Sequence, residues 1–125
     1  MTVTLSIRLL TGRFHGTPWN HQVNGGVVEC PPSPWRILRA FVSAYYHLAE
    51  RPPRQQMCQL MTLLAETLPA YHVPPYTTAH TRHYMPLRKE GKETTTKVLD
   101  PFLVFGRATT ISEDAPEIQV VWETV

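Results

Sequence analysis

The chain has 125 residues, enough for one folded domain with a single core. Hydrophobic residues make up 42% and charged residues 18%, a balance that excludes an intrinsically disordered chain. The net charge of +2 is too small to argue for nucleic-acid binding by itself, so the distribution of charge must carry that case. Val3, Leu5, Ile7 and Leu9 alternate with Thr4, Ser6 and Arg8, which predicts a half-buried strand. His15 to Pro32 reads as a long loop punctuated by glycines and prolines. Trp19, His21 and Cys30 within it favour an ordered, working loop over disorder.

Ser33-Pro34 is a helix start, with Ser33 as N-cap and Pro34 at the first helical position. The helix is expected to run to about Glu50. Its apolar rows are Trp35, Leu38, Val42, Tyr45 and Ile37, Phe41, Ala44, Leu48, opposite Arg36, Arg39, Ser43 and His47. A second helix is expected over Gln55 to Leu68, with Met57, Leu60, Met61, Leu64 and Leu68 at helical spacing. Tyr71 to Val73 starts a strand. Thr77 to Leu87 and Lys97 to Phe105 read as extended segments flanking a basic loop, Arg88 to Thr96, with Pro101 breaking the second. Ile118, Val120 and Trp122 alternate in a last strand, Glu117 to Thr124. This order suits an α+β fold with helices on one face of a sheet and a protruding hairpin.

Cys30 and Cys58 match no CxxC spacing, and reduced thiols in a cytoplasmic protein are expected, a single disulfide being the alternative. The N-terminus lacks the charged start and long apolar run of a signal peptide, and Arg8 interrupts its apolar stretch, so no membrane partner is expected.

Three stretches carry candidate chemistry. In the first, Gly12 allows close backbone approach, Arg13 suits a phosphate, and Phe14 and Trp19 suit stacked bases, with His15 beside them. The same residues also suit a loop packed on its own aromatic rings. The second is the start of the long helix, where free N–H groups, Arg36 and Arg39 suit a phosphate, or simply form a solvated face. The third runs from Thr77 through Arg82, His83 and Tyr84 to Arg88, Lys89, Lys92 and Lys97. Its cationic, aromatic and hydroxyl groups suit a surface that tracks a nucleic-acid backbone, and also a hairpin kept soluble by charge. Acidic residues gather elsewhere, at Glu113, Asp114, Glu117 and Glu123. His80 and His83, three apart on an extended segment, fall on opposite faces and suit no single metal ion. No GxSxG, P-loop, GxGxxG or HExxH motif is present.

Two longer blocks bear a resemblance. Thr11 to Trp19, Asn24 and Val28 to Ala40 form one; His80 to Leu87, Lys92, Thr95 to Lys97 and Asp100 to Phe102 form the other. Together they resemble the Csb-type subunit of type I-U (also called I-G) CRISPR effector complexes, in the RAMP superfamily. The resemblance implies ferredoxin-like, RRM-type folding of residues 1–125, and a hairpin thumb at about Thr77 to Phe105. It implies an N-terminal half that holds the 5′ handle of the crRNA among Cascade-type subunits, reaching target DNA only through the complex. Members of the family are longer, and the half similar to a precursor-processing endoribonuclease is expected to lie outside these 125 residues. No catalytic residue, cofactor or metal is therefore carried over. A metal-independent ribonuclease using a histidine such as His15 or His83 stays open, as does a protein-interaction module that completes a partner.

Overall fold

A computed structural model describes residues 1–22, 25–106 and 115–124. Asn24 of the resemblance, and Glu113 and Asp114 of the acidic group, lie outside the described residues. The elements in chain order are β1 (Thr2–Arg8), β2 (Arg13–Phe14), α1 (Pro34–His47), α2 (Arg54–Glu66), β3 (Ala70–His72), β4 (Tyr76–Lys89), β5 (Lys92–Phe105) and β6 (Glu117–Glu123). The fold is α+β, with two antiparallel three-stranded sheets and two helices among the described residues. The chain forms two compact units. One comprises Met1–Arg8, Pro31–Val73 and Glu117–Val125; the other comprises Leu9–Cys30 and Pro74–Pro116.

The first unit holds the sheet β1-β6-β3 and both helices. The predicted alternation sets its register: Val3 pairs with Trp122, Leu5 with Val120 and Ile7 with Ile118. Tyr71 of β3 also pairs with Val120, so these residues share one face. Ile118, Val120 and Trp122 are fully buried there, and Phe41 of α1 lies 6.5 Å from the Trp122 ring. The opposite face carries Thr4, Ser6 and Gln119, with Arg8 and Glu117 ion-paired at 3.6 Å near its end. The N-terminal ammonium donates to the Thr124 carbonyl at 2.8 Å, extending the β1–β6 ladder by one residue.

Ser33 caps α1 as expected, its Oγ accepting from the Arg36 N–H at 3.3 Å. The rows expected on its apolar face are corrected in part. Ile37 is buried, but Trp35 remains 62% exposed and Val42 40% exposed. Both sit at least ~140° around the helix from Ile37, outside the arc that meets the sheet. The helix also stops at His47 rather than near Glu50, because Leu48 turns extended. The segment leading to Pro52 is tied back by the Tyr45 hydroxyl, which donates to the Pro52 carbonyl at 2.8 Å. The second helix ends at Glu66, and Leu68, expected in its apolar row, is 88% exposed. Pro69 disfavours helical backbone at the residue before it, so Leu68 leaves the row.

The second unit holds the sheet β2-β5-β4. Here three expectations are corrected. Arg13-Phe14, read as loop, is a short strand paired with Leu103 and Val104. Gly12 makes this possible at φ 66°: its N–H reaches the Leu9 carbonyl, and its own carbonyl accepts from Phe105 at 2.8 Å. The basic loop at Arg88 to Thr96 is absent, since β4 and β5 stay paired out to Lys89 and Lys92. A two-residue turn joins them, with Glu90 at φ 53° and Gly91 at φ 76°, the positive pair a tight hairpin needs. Pro101 does not break β5. Its carbonyl accepts from His15 Nδ1, so this residue's backbone polar groups face away from β4, and the N–H that proline lacks is not called on by that ladder. Since a carbonyl only accepts, the His15 proton sits on Nδ1.

Leu103, Phe105 and Pro101 are the buried anchors of this unit, with the Tyr76 ring 5.6 Å from Phe105. A hydrogen bond between the Tyr76 phenol and Cys30 holds the phenol above its ordinary pKa. Gly16 and Glu29 close the intervening loop through a 2.7 Å backbone hydrogen bond. Cys30 and Cys58 are both free thiols. Among the described residues no helix is long and apolar enough to cross a membrane.

Candidate nucleic-acid interface

Register decides which side chains of the long hairpin act together, because directly paired residues share a face. One face begins at Tyr76 opposite Phe105 and Thr78 opposite Leu103, where β5 is buried. It continues through His80 opposite Pro101 and Arg82 opposite Leu99. Beyond that point every residue on it is exposed: Tyr84 faces Lys97, Pro86 faces Thr95, and Arg88 faces Glu93. The result is a row of cation, aromatic ring and cation, with Lys97 beside the ring. Tyr84 is 66% exposed, so its face is open to a stacking partner.

The other face of the same unit carries a different set. Arg13 pairs with Val104, and its guanidinium lies 5.2 Å from the centroid of the Phe102 ring. Asp100 follows, two residues from Phe102 on the same strand face. Its Oδ2 lies 3.3 Å from His83 Nε2, and that nitrogen is 3.0 Å from Thr81 Oγ1. Arg13, Phe14, His15, Asp100 and Phe102 line an open cleft of ≈ 380 Å³. Met85, Leu87, Lys89 and Lys92 continue this face toward the turn.

The sequence candidates therefore separate into groups. Arg82, Tyr84, Arg88 and Lys97 form the cation–aromatic row, whereas Arg13, His15 and His83 gather around the cleft on the opposite face. Phe14 pairs with Leu103 and reaches the cleft from the edge strand. Lys89 and Lys92 pair with one another beside the turn. Trp19 is 80% exposed in the loop next to Asn20, which takes φ 63°. Arg36 and Arg39 are exposed on α1, in the first unit. The N–H donors expected there for a phosphate are partly committed, since the Arg36 N–H is bound to Ser33. His80 and His83 lie on opposite faces of β4, as their spacing requires. Among the described residues no three His, Cys, Asp or Glu side chains gather as a metal-ligand set.

Sequence reasoning missed Asp100 and Phe102 as parts of one cleft. The available signal was the i, i+2 spacing of Asp100 and Phe102 in an extended segment, hidden by the break expected at Pro101 between them. No family model, curated protein or solved structure matches the chain.

Proposed function

We propose that this chain holds single-stranded RNA, as the guide-binding subunit of a Cascade-type CRISPR effector complex in the cytoplasm. The observation that carries the reading is the row Arg82, Tyr84, Arg88 on one exposed hairpin face, with Lys97 opposite Tyr84. Alternate residues of a strand point the same way at a rise of about 3.3 Å each, so such a row repeats on the scale of a nucleotide backbone. Cations then meet phosphates while the tyrosine ring stacks on a base, an arrangement that tolerates many sequences. The RNA's identity as the 5′ handle of a crRNA rests on the two sequence blocks that resemble Csb-type subunits. In that reading the fold is a ferredoxin-like RAMP domain, and the hairpin is its thumb. Other effector subunits are the protein partners, and target DNA is reached through the complex.

The test is filter binding of labelled CRISPR-repeat RNA to the purified chain, in EDTA, across a salt series. Binding that weakens steeply with salt while the RNA stays intact supports the proposal. No binding at low salt refutes it. The His83–Asp100 pair favours one competing reading, a metal-independent ribonuclease in which His83 is the acid or base. Site-specific cleavage in the same assay, abolished by His83→Ala, would establish that reading instead.

A further inference from the structure

The cleft on the second face has a donor and acceptor pattern that the phosphate-tracking role does not use. Among the described residues Arg13 makes no hydrogen bond or ion pair, so its guanidinium N–H groups remain available beside the Phe102 ring. Among the described residues Asp100 meets only His83, through Oδ2, and its side chain stays 42% exposed. A carboxylate offers about four lone-pair sites, so most of its accepting capacity is unspent. His15 is fixed through Nδ1 on the Pro101 carbonyl, which pins β5 at the floor of the cleft. The opening therefore presents the planar Arg13 guanidinium laid over the Phe102 ring, and an accepting carboxylate at Asp100. A planar ring with N–H donors on its edge fits that combination, and an aliphatic or purely anionic ligand leaves half of it unmatched.

We infer that this cleft binds a single nucleobase by its Watson–Crick edge, with guanine preferred. The ring stacks on the Phe102–Arg13 pair, and the Asp100 carboxylate accepts from the base. Guanine presents N1–H and the exocyclic N2 amine side by side, matching both oxygens of the carboxylate. Adenine and cytosine offer an amine beside a ring acceptor, which a carboxylate repels, and uracil offers one N–H between two carbonyls. The inference rests on the RNA-holding reading and adds base selection to it: the hairpin row grips backbone, and the cleft takes one base.

The experiment titrates 5′-GMP and 5′-IMP into the full chain by NMR, wild type and Asp100→Asn, with repeat-RNA binding measured on the same preparations. IMP differs from GMP only in lacking the exocyclic amine. The expected result is GMP binding about tenfold tighter than IMP in the wild type, from one lost charge-assisted hydrogen bond. Asp100→Asn should bring the two within about twofold, because an amide presents only one accepting atom. Equal affinities in the wild type, no GMP binding, or a preference that survives Asp100→Asn overturns the inference. If the RNA still binds in a salt-dependent way in those cases, the cleft alone is refuted. If the RNA does not bind either, the RNA-holding reading falls with it.

Discussion

Replacing Arg82, Arg88 and Lys97 together by alanine removes every cation from the exposed row without touching a buried side chain. Each phosphate neutralised on a single strand contributes about −0.7 to the slope of log affinity against log salt. Three contacts therefore put roughly −2 of the slope on this row, which weakens binding about twentyfold over a fourfold rise in salt. The triple variant should lose that part of the slope, measured by filter binding of repeat RNA. Tyr84→Ala should behave differently: it should lower affinity by about 1–3 kcal/mol, the worth of one stacked base, at nearly unchanged slope. Lys89→Ala with Lys92→Ala is the control, since these two lie on the opposite face. A triple variant whose slope stays within about half a unit of the wild type refutes the row as the phosphate-tracking element. A control that flattens the slope as much as the triple variant refutes the division between faces.

Further outcomes follow from the packing and charge. Trp122→Phe should cost little in guanidinium unfolding followed by circular dichroism. The indole Nε1 is buried without a hydrogen-bond partner among the described residues, and losing it recovers about 1–3 kcal/mol against the lost ring volume. Trp122→Ala should cost about 3–5 kcal/mol, so a Phe variant as damaging as the Ala variant contradicts this account. Leu103→Ala, at a site only 1% exposed, should cost about 2–5 kcal/mol by the same measurement. Gly91→Ala should cost only about 1 kcal/mol in thermal unfolding, because its φ of 76° is the sole obstacle and nothing lies within 4 Å of the added carbon. Glu93→Gln removes the acid opposite Arg88 and should strengthen RNA binding a few-fold at low salt; weaker binding would show that Arg88 is not a contact.

The row and the cleft differ in how legible they are from the chain alone. Arg82, Tyr84, Arg88 and Lys97 were recognisable as a cation–aromatic stretch, since residue type and even spacing along a strand are local properties. Their separation from Lys89, Lys92 and His83 was not, because it depends on strands staying paired through the turn. The expectation of a basic loop hid that pairing: charge at Arg88 to Lys92 reads as a loop tip, whereas Glu90-Gly91 alone makes the turn.

What the sequence determined by itself is local and periodic. Alternation in Val3 to Ile7 and Ile118 to Trp122 specified half-buried strands, and Ser33-Pro34 specified a helix start through its side-chain cap and fixed φ. The tertiary structure decided which strands share a sheet and in what register. It placed Arg13 on Phe102 and His83 on Asp100 across 89 and 17 positions of chain respectively. It also carried β5 through Pro101, by turning that residue's polar groups toward His15 instead of β4. Partners distant in sequence made each of these choices, and no window of neighbouring residues contains them.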